Sequence, residues 1–127
     1  MAPFSDRLAL RLGAILGFFA VILGAMAAHG KIHDFLDGQH RLDLWKTALN
    51  YQWYHALALL AVGQTRHARR GTVILWLVGV VCFSGSLYIL ALDPTQWWAG
   101  PVTPLGGLFL ILGWGWLFIS LLRKPAA

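Results

Sequence analysis

Four stretches of the chain are apolar for long enough to suggest helices in a bilayer: Leu8 to Ala28, Leu44 to Val62, Thr72 to Leu92 and Leu105 to Leu122. Each meets or approaches the length of about 20 residues that spans hydrocarbon. The second is the weakest by hydropathy, because Asn50, Tyr51, Gln52 and His55 sit in its middle. Hydrocarbon cannot hydrogen-bond such groups, so they are expected to face other helices or a polar cavity. The pattern predicts an all-α protein, a four-transmembrane-helix bundle forming one integral membrane domain over residues 1–127.

The connections carry their own signals. Lys31 to Asp37 places Ile32, Phe35 and Leu36 at helical spacing with Gly38 as a stop, which predicts a short interfacial helix between the first two spans. Gly63 to Gly71 is a short basic connection. Asp93, Pro94, Gly100 and Pro101 are turn formers, and Thr103 before Pro104 reads as an N-cap and first helical residue of the fourth span. Gly13 and Gly17 are four apart, as are Ala20, Gly24 and Ala28, and such columns let helices pack closely in lipid. The same columns favour a retained span over a cleaved leader, the competing reading raised by Arg7 and Arg11 ahead of an apolar run ending in Ala25, Met26 and Ala27.

Composition supports a membrane protein. Hydrophobic residues make up 58% and charged residues 12%, against about a quarter charged in soluble chains, and the mean hydropathy is +0.65. The net charge of +5 does not imply nucleic acid, because the basic residues fall at span ends. Arg7, Arg11, Arg66, Arg69, Arg70, Arg123 and Lys124 fall on one side of a four-span arrangement, and only Lys31, Arg41 and Lys46 on the other. The positive-inside bias then puts both termini in the cytoplasm. Trp45, Trp97 and Trp98 are placed for an outer aromatic belt. The lone Cys82 excludes an intrachain disulfide.

A rise of 1.5 Å per residue puts His55 and Ser84 near mid-membrane, with Ser86, Tyr51 and Tyr88 nearer the outer surface. The second and third spans are thus expected to face each other through a tyrosine layer above a histidine and serine layer. Thr47, Tyr51 and His55 recur every four residues, with Gln52 three before His55, so one broad face of the second span is expected to carry the polar load. Two uses are open for the cluster: mutual hydrogen bonding that fixes helix register, or a ligand pocket.

Other chemistry finds weaker support. His29, His33, Asp37 and His40 would share a face of one helix and suit zinc or copper, but Gly30 and Gly38 break that helix, so no metal is expected. No cofactor is expected either. A serine nucleophile at Ser84 or Ser86 with His55 as base would lack a third group to orient the histidine, and no carboxylate falls inside a predicted span. No enzymatic activity is expected.

The strings GAMAAHG, WKTALNYQWYHALALL, FSGSLYILAL and TPLGGLFLILGW, in that order between Leu12 and Trp116, resemble a family of small bacterial membrane proteins, DUF 423, which is similar to transmembrane protein 256 of animals. The resemblance implies a four-helix inner-membrane protein without an established molecular activity. Its pattern falls on Ala28, His29 and Gly30, on Tyr51, Gln52 and His55, on Phe83 through Tyr88, and on Thr103, Pro104, Gly106 and Gly107. His33 and His40 lie outside it, which lowers the loop metal site further.

The candidate site is therefore Tyr51, Gln52, His55, Ser84, Ser86, Tyr88 and His29. The leading expectation is a structural or accessory membrane component, partnered by the bilayer and by further copies of itself or a larger membrane complex. The alternative is a binding or transport protein whose outward-facing polar pocket between the second and third spans takes a small polar molecule, ion or lipid headgroup.

Overall fold

A computed structural model describes residues 4–65 and 68–123, and the fold is five helices: α1 (Phe4–Ala28), α2 (Gly30–Gly38), α3 (Leu42–Gln64), α4 (Arg70–Leu92) and α5 (Ala99–Leu122). Arg66 and Lys124 of the basic pattern lie outside the described residues.

The expected four-span bundle is corrected to three candidate spans. Among the described residues, only α1, α4 and α5 are long and apolar enough to cross a membrane. Helix α3 has the length, at 23 residues, but its polar centre leaves it short of the required hydropathy. Placing both termini on one side needed an even number of crossings, so that inference falls with the fourth span.

Helix α3 runs antiparallel to α1, as contacts from Trp45 to Leu23, Gln52 to Leu16 and Gly63 to Leu10 demonstrate. Its other flank packs on α4, and α4 packs most extensively on α5. The buried stripe of α3 is Trp45, Ala48, Gln52, His55 with Ala56, Leu59 and Val62, which advances by three or four residues as one helical face must. Below the polar level, Ala9, Leu59, Val73, Trp76, Val80 and Leu110 form the larger apolar core. Above it, α2 drops the fully buried Leu36 between Ala27, Trp45 and Ala91.

Glycine sets the closest approaches. A Cβ on Gly106 of α5 would lie 2.3 Å from the Phe83 backbone nitrogen and 2.8 Å from the Cys82 carbonyl carbon of α4. At Gly13 of α1 it would meet the Ala56 carbonyl oxygen at 2.8 Å. Both are backbone atoms that cannot swing aside, so these helices pair at a distance only glycine permits. The column on α1 continues through Gly17, Ala20 and Gly24 onto α3, while Ala28 points outward and Ala27 is buried in its place.

The helix ends differ from the sequence reading in two places. Helix α2 ends at Gly38 as expected, but that glycine does not supply the left-handed turn. Its Schellman closure pairs Arg41 N–H with Leu36 O and His40 N–H with Asp37 O, and His40 takes the left-handed position at φ 56°. Helix α5 begins at Ala99, four residues before the expected Thr103 cap, and Pro104 lies inside it. Pro101 occupies the first turn, where an N–H has no intrahelical partner to lose. Between α4 and α5, the Thr95 hydroxyl, the Gln96 amide and the Thr95 N–H all donate to the Asp93 carboxylate and hold its pKa below the usual carboxylate range.

Two tests follow from this geometry. Gly106→Ala should lower stability by about 2 to 3 kcal/mol through overpacking, whereas Gly85→Ala, where a Cβ meets open space, should change it by less than about 0.5 kcal/mol; thermal unfolding in detergent reads both, and a tolerated Gly106→Ala contradicts the backbone contact. His40→Gly should raise stability by roughly 0.5 to 1 kcal/mol by relieving the left-handed non-glycine residue, checked in the same assay.

Candidate functional site

At the middle of α1, the side chain of Gln52 enters from α3 and makes two bonds in opposite directions. Its Nε2 donates to Leu16 O of α1 at 2.8 Å, and its Oε1 accepts from the Tyr88 hydroxyl of α4 at 2.8 Å. One amide thereby ties three helices. One turn earlier on α3, Ser84 Oγ of α4 donates to Ala48 O at 2.7 Å. Nearer the end of α1, Trp45 Nε1 donates to Leu23 O at 3.0 Å, and its ring meets Tyr88 edge to face at 4.7 Å.

His55 closes the cluster toward α5. Its Nδ1 lies 2.7 Å from Tyr51 O, and its Nε2 lies 3.0 Å from Trp114 Nε1. An indole N–H can only donate and a carbonyl oxygen can only accept, so both contacts are satisfied by the neutral tautomer with its proton on Nδ1. Trp76 lies edge to face with the imidazole at 5.8 Å and packs at 4.6 Å on Trp114. Trp76 Nε1 is buried without a hydrogen-bond partner among the described residues.

The seven sequence candidates divide. Gln52, His55, Ser84 and Ser86 are buried, at 4%, 3%, 1% and 2% exposure, and Tyr88 joins them through Gln52. Ser86 faces α5, not α3: its hydroxyl is 2.5 Å from Thr103 Oγ1. Tyr51 does not meet Tyr88 in a tyrosine layer; it is 39% exposed and packs on Phe83 at 4.6 Å. Asn50 and Thr47 are exposed as well, because the buried stripe of α3 is centred on Gln52, roughly a quarter turn from the middle of the face that the four-residue spacing of Thr47, Tyr51 and His55 suggested, and only His55 of that series reaches it. His29 is exposed at the start of α2, far along the chain from the cluster. His33 instead uses its ring, bonding Ala27 O at the end of α1 through Nδ1 at 2.7 Å.

Three participants escaped the sequence reading. Trp114 holds His55 although its ring is 47% exposed; an indole at helical spacing reads as a lipid-facing residue, and no local signal marks its N–H as turned inward. Trp45, expected in an aromatic belt, is 2% exposed, while Trp97 and Trp98 are exposed. Asp6 is buried in the first turn of α1 at 1% exposure, where its Oδ1 accepts Ala68 N–H just ahead of α4 and its Oδ2 has no partner. The predicted span began at Leu8, two residues too late to include it.

Beside the cluster runs a groove of about 270 Å³ between α1, α3 and α4, bordered by Leu16, Phe19, Leu23, Val80, Val81 and Gly85 as well as Gln52, Ser84 and Tyr88. The polar atoms of those last three are engaged elsewhere, Gln52 with Leu16 O and Tyr88 and Ser84 with Ala48 O, so the surface left to a guest is apolar. Ser84 and Ser86 bond Ala48 O and Thr103 and not the imidazole, so no serine and histidine pair is assembled.

The family pattern of DUF423, described as a protein of unknown function, matches residues 23–107. The chain belongs to this family. It is similar to a UPF0382 membrane protein of Staphylococcus aureus, with 41% identity over 125 residues covering 90% of this chain and 94% of the relative. A UPF0382 membrane protein of Haemophilus influenzae is 40% identical, covering 83% and 86%. The UPF0382 inner membrane protein YgdD of Escherichia coli is 36% identical, covering 94% and 92%. No solved structure matches the chain. The DUF423 chain is a multi-pass protein of the bacterial inner membrane, in accord with three apolar helices and with its relatives. The matched segment runs from Leu23, which accepts Trp45, to Gly107 beside Phe83. It contains the Gln52 bridge and stops short of Trp114.

The bridge makes a quantitative prediction. Tyr88→Phe should cost about 0.6 kcal/mol and Gln52→Leu about twice that, and the double variant should cost no more than Gln52→Leu alone, because the two share one bond. Unfolding of the four proteins in detergent measures the cycle; additive losses would mean that the hydroxyl and amide do not interact.

Proposed function

We propose that this chain is a structural or accessory component of the bacterial inner membrane, in which the polar residues of α3 and α4 lock helices together instead of presenting a polar binding site. The observation that carries this reading is saturation. Gln52 uses both ends of its amide, His55 both ring nitrogens, and Ser84 its hydroxyl, each on a partner inside the protein. A pocket for a small polar molecule or ion would need some of these groups aimed into open space, and a base would need a free nitrogen lone pair on His55. The family resemblance adds no activity to this picture.

One observation favours a second reading, binding of an apolar chain. The groove beside the bridge opens between apolar helices with Leu16, Phe19, Leu23, Val80 and Val81 along it, a lining suited to a lipid acyl chain and not to a headgroup.

Native mass spectrometry of gently extracted protein, combined with thermal unfolding, tests the proposal. The expected result is that Ser84→Ala and Gln52→Leu lower the unfolding temperature while no small polar molecule is retained by the unaltered protein. A polar solute that copurifies and is lost from either variant without loss of stability would refute the structural reading. Retained lipid that disappears on Gly85→Leu, which fills the groove, would favour the acyl-chain reading.

A further inference from the structure

The face of α3 turned away from the bridge is uncovered. Asp43, Thr47, Asn50, Tyr54, Leu57 and Ala61 are all exposed, with Tyr54 and Leu57 at 56% and 57%. Their separations are four, three, four, three and four residues. That is the spacing of the seam between two helices that cross at a shallow angle and keep contact over several turns. Beside three apolar helices that suit lipid, α3 thus leaves a regular stripe without a neighbour among the described residues.

Depth makes the vacancy costly. Gln52 bonds Leu16, the central residue of α1, and Asn50 lies two residues from Gln52, about 3 Å along the axis. The Asn50 amide is therefore level with the centre of an apolar helix, and it has no hydrogen bond among the described residues. Hydrocarbon at that level offers neither donor nor acceptor.

We propose that a second copy of this chain covers the stripe, with α3 packed in parallel on its own image and Asn50 paired to Asn50 of that copy. Two arguments select a second copy. Copies of one chain inserted in a bilayer share one orientation, so a two-fold axis relating them runs along the membrane normal, and α3, aligned with α1, meets its image parallel and in register. Each residue near the axis must then satisfy itself. Asparagine does so, because its amide carries both donors and an acceptor, and a single asparagine in such a seam fixes register and pair formation. Thr47 and Tyr54 hydroxyls have the same property, and Leu57 and Ala61 pack apolar against apolar. At the end of the stripe, exposed Lys46 lies three residues from Asp43, so the two carboxylates that approach each other there have cations at hand.

The test is a cysteine scan of α3 in membranes, in a Cys82→Ser background that removes the chain's other thiol. Mild oxidation should link two copies through cysteines at positions 47, 50, 54 and 61, and not through cysteines replacing Leu49, Tyr51 or Ala58 on the flanks. Asn50→Leu should weaken the pair by up to about tenfold. Since these positions are exposed, the substitutions spare the internal packing. The unaltered protein in lipid nanodiscs should have the mass of two chains by native mass spectrometry. A single-chain mass, cross-linking without the four-and-three periodicity, a covalent adduct to a different polypeptide, or an undiminished pair in Asn50→Leu would each overturn the proposal.

Discussion

The contacts among α1, α3 and α4 meet at one constraint, that a glutamine amide beside the centre of an apolar helix must find both a hydrogen-bond acceptor and a donor within the protein. Gln52 meets it with Leu16 O on one side and the Tyr88 hydroxyl on the other. Because these partners belong to α1 and α4, satisfying the amide also fixes how far each helix has slid along α3. An apolar residue at position 52 would pack in several registers of similar energy; a two-ended polar group in a low-dielectric setting permits one.

The bridge requires close helices, and small residues supply them. Gly13 lets α1 approach the Ala56 carbonyl, and the Ala20 and Gly24 positions carry the contact past Gln52. On the other side, Gly106 seats α5 against the backbone of Cys82 and Phe83, immediately before Ser84 and Ser86. Those serines then point in opposite directions, Ser84 to α3 and Ser86 to Thr103 of α5. The string Ser84, Gly85, Ser86 is thus a junction between two interfaces, with Gly85 opening onto the groove between them and α1.

Much of this arrangement is legible in the amino-acid order, since the reasoning needs only that hydrocarbon refuses polar groups. Gln52, Ser84 and Tyr88 follow from depth and composition, and the glycine columns from their spacing. What is not legible depends on direction. Hydropathy sums over all faces of a helix, so the polar centre of α3 lowers its score equally whether the groups point inward, like Gln52, or outward, like Asn50. That summation leaves three helices that qualify, whereas a reading by length and flanking apolar residues includes α3 as a fourth. Rotation about the helix axis also decided Tyr51, which a four-residue spacing grouped with His55 although the packing stripe passes through Gln52. Trp114 and Asp6 illustrate a further limit: each acts through one atom turned toward a partner distant in sequence, Trp114 across 59 residues to His55 and Asp6 across 62 to Ala68.

The two faces of α3 obey the same rule with opposite outcomes inside a single chain. On the inner face, Gln52, His55 and Trp45 have each found a partner, and the apolar residues among them are buried to completion. On the outer face the polar residues keep helical regularity and lack partners, which random substitution at a lipid boundary would not produce, since lipid contact rewards apolar side chains at every exposed position. The same chemistry that holds the chain together within itself is therefore repeated on a surface that one chain cannot cover. Gln52 and His55 are satisfied on the inner face of α3 while its outer face still presents an ordered stripe, and in the proposed pair the residue whose bonding capacity matches its own image, Asn50, lies near the middle of that stripe.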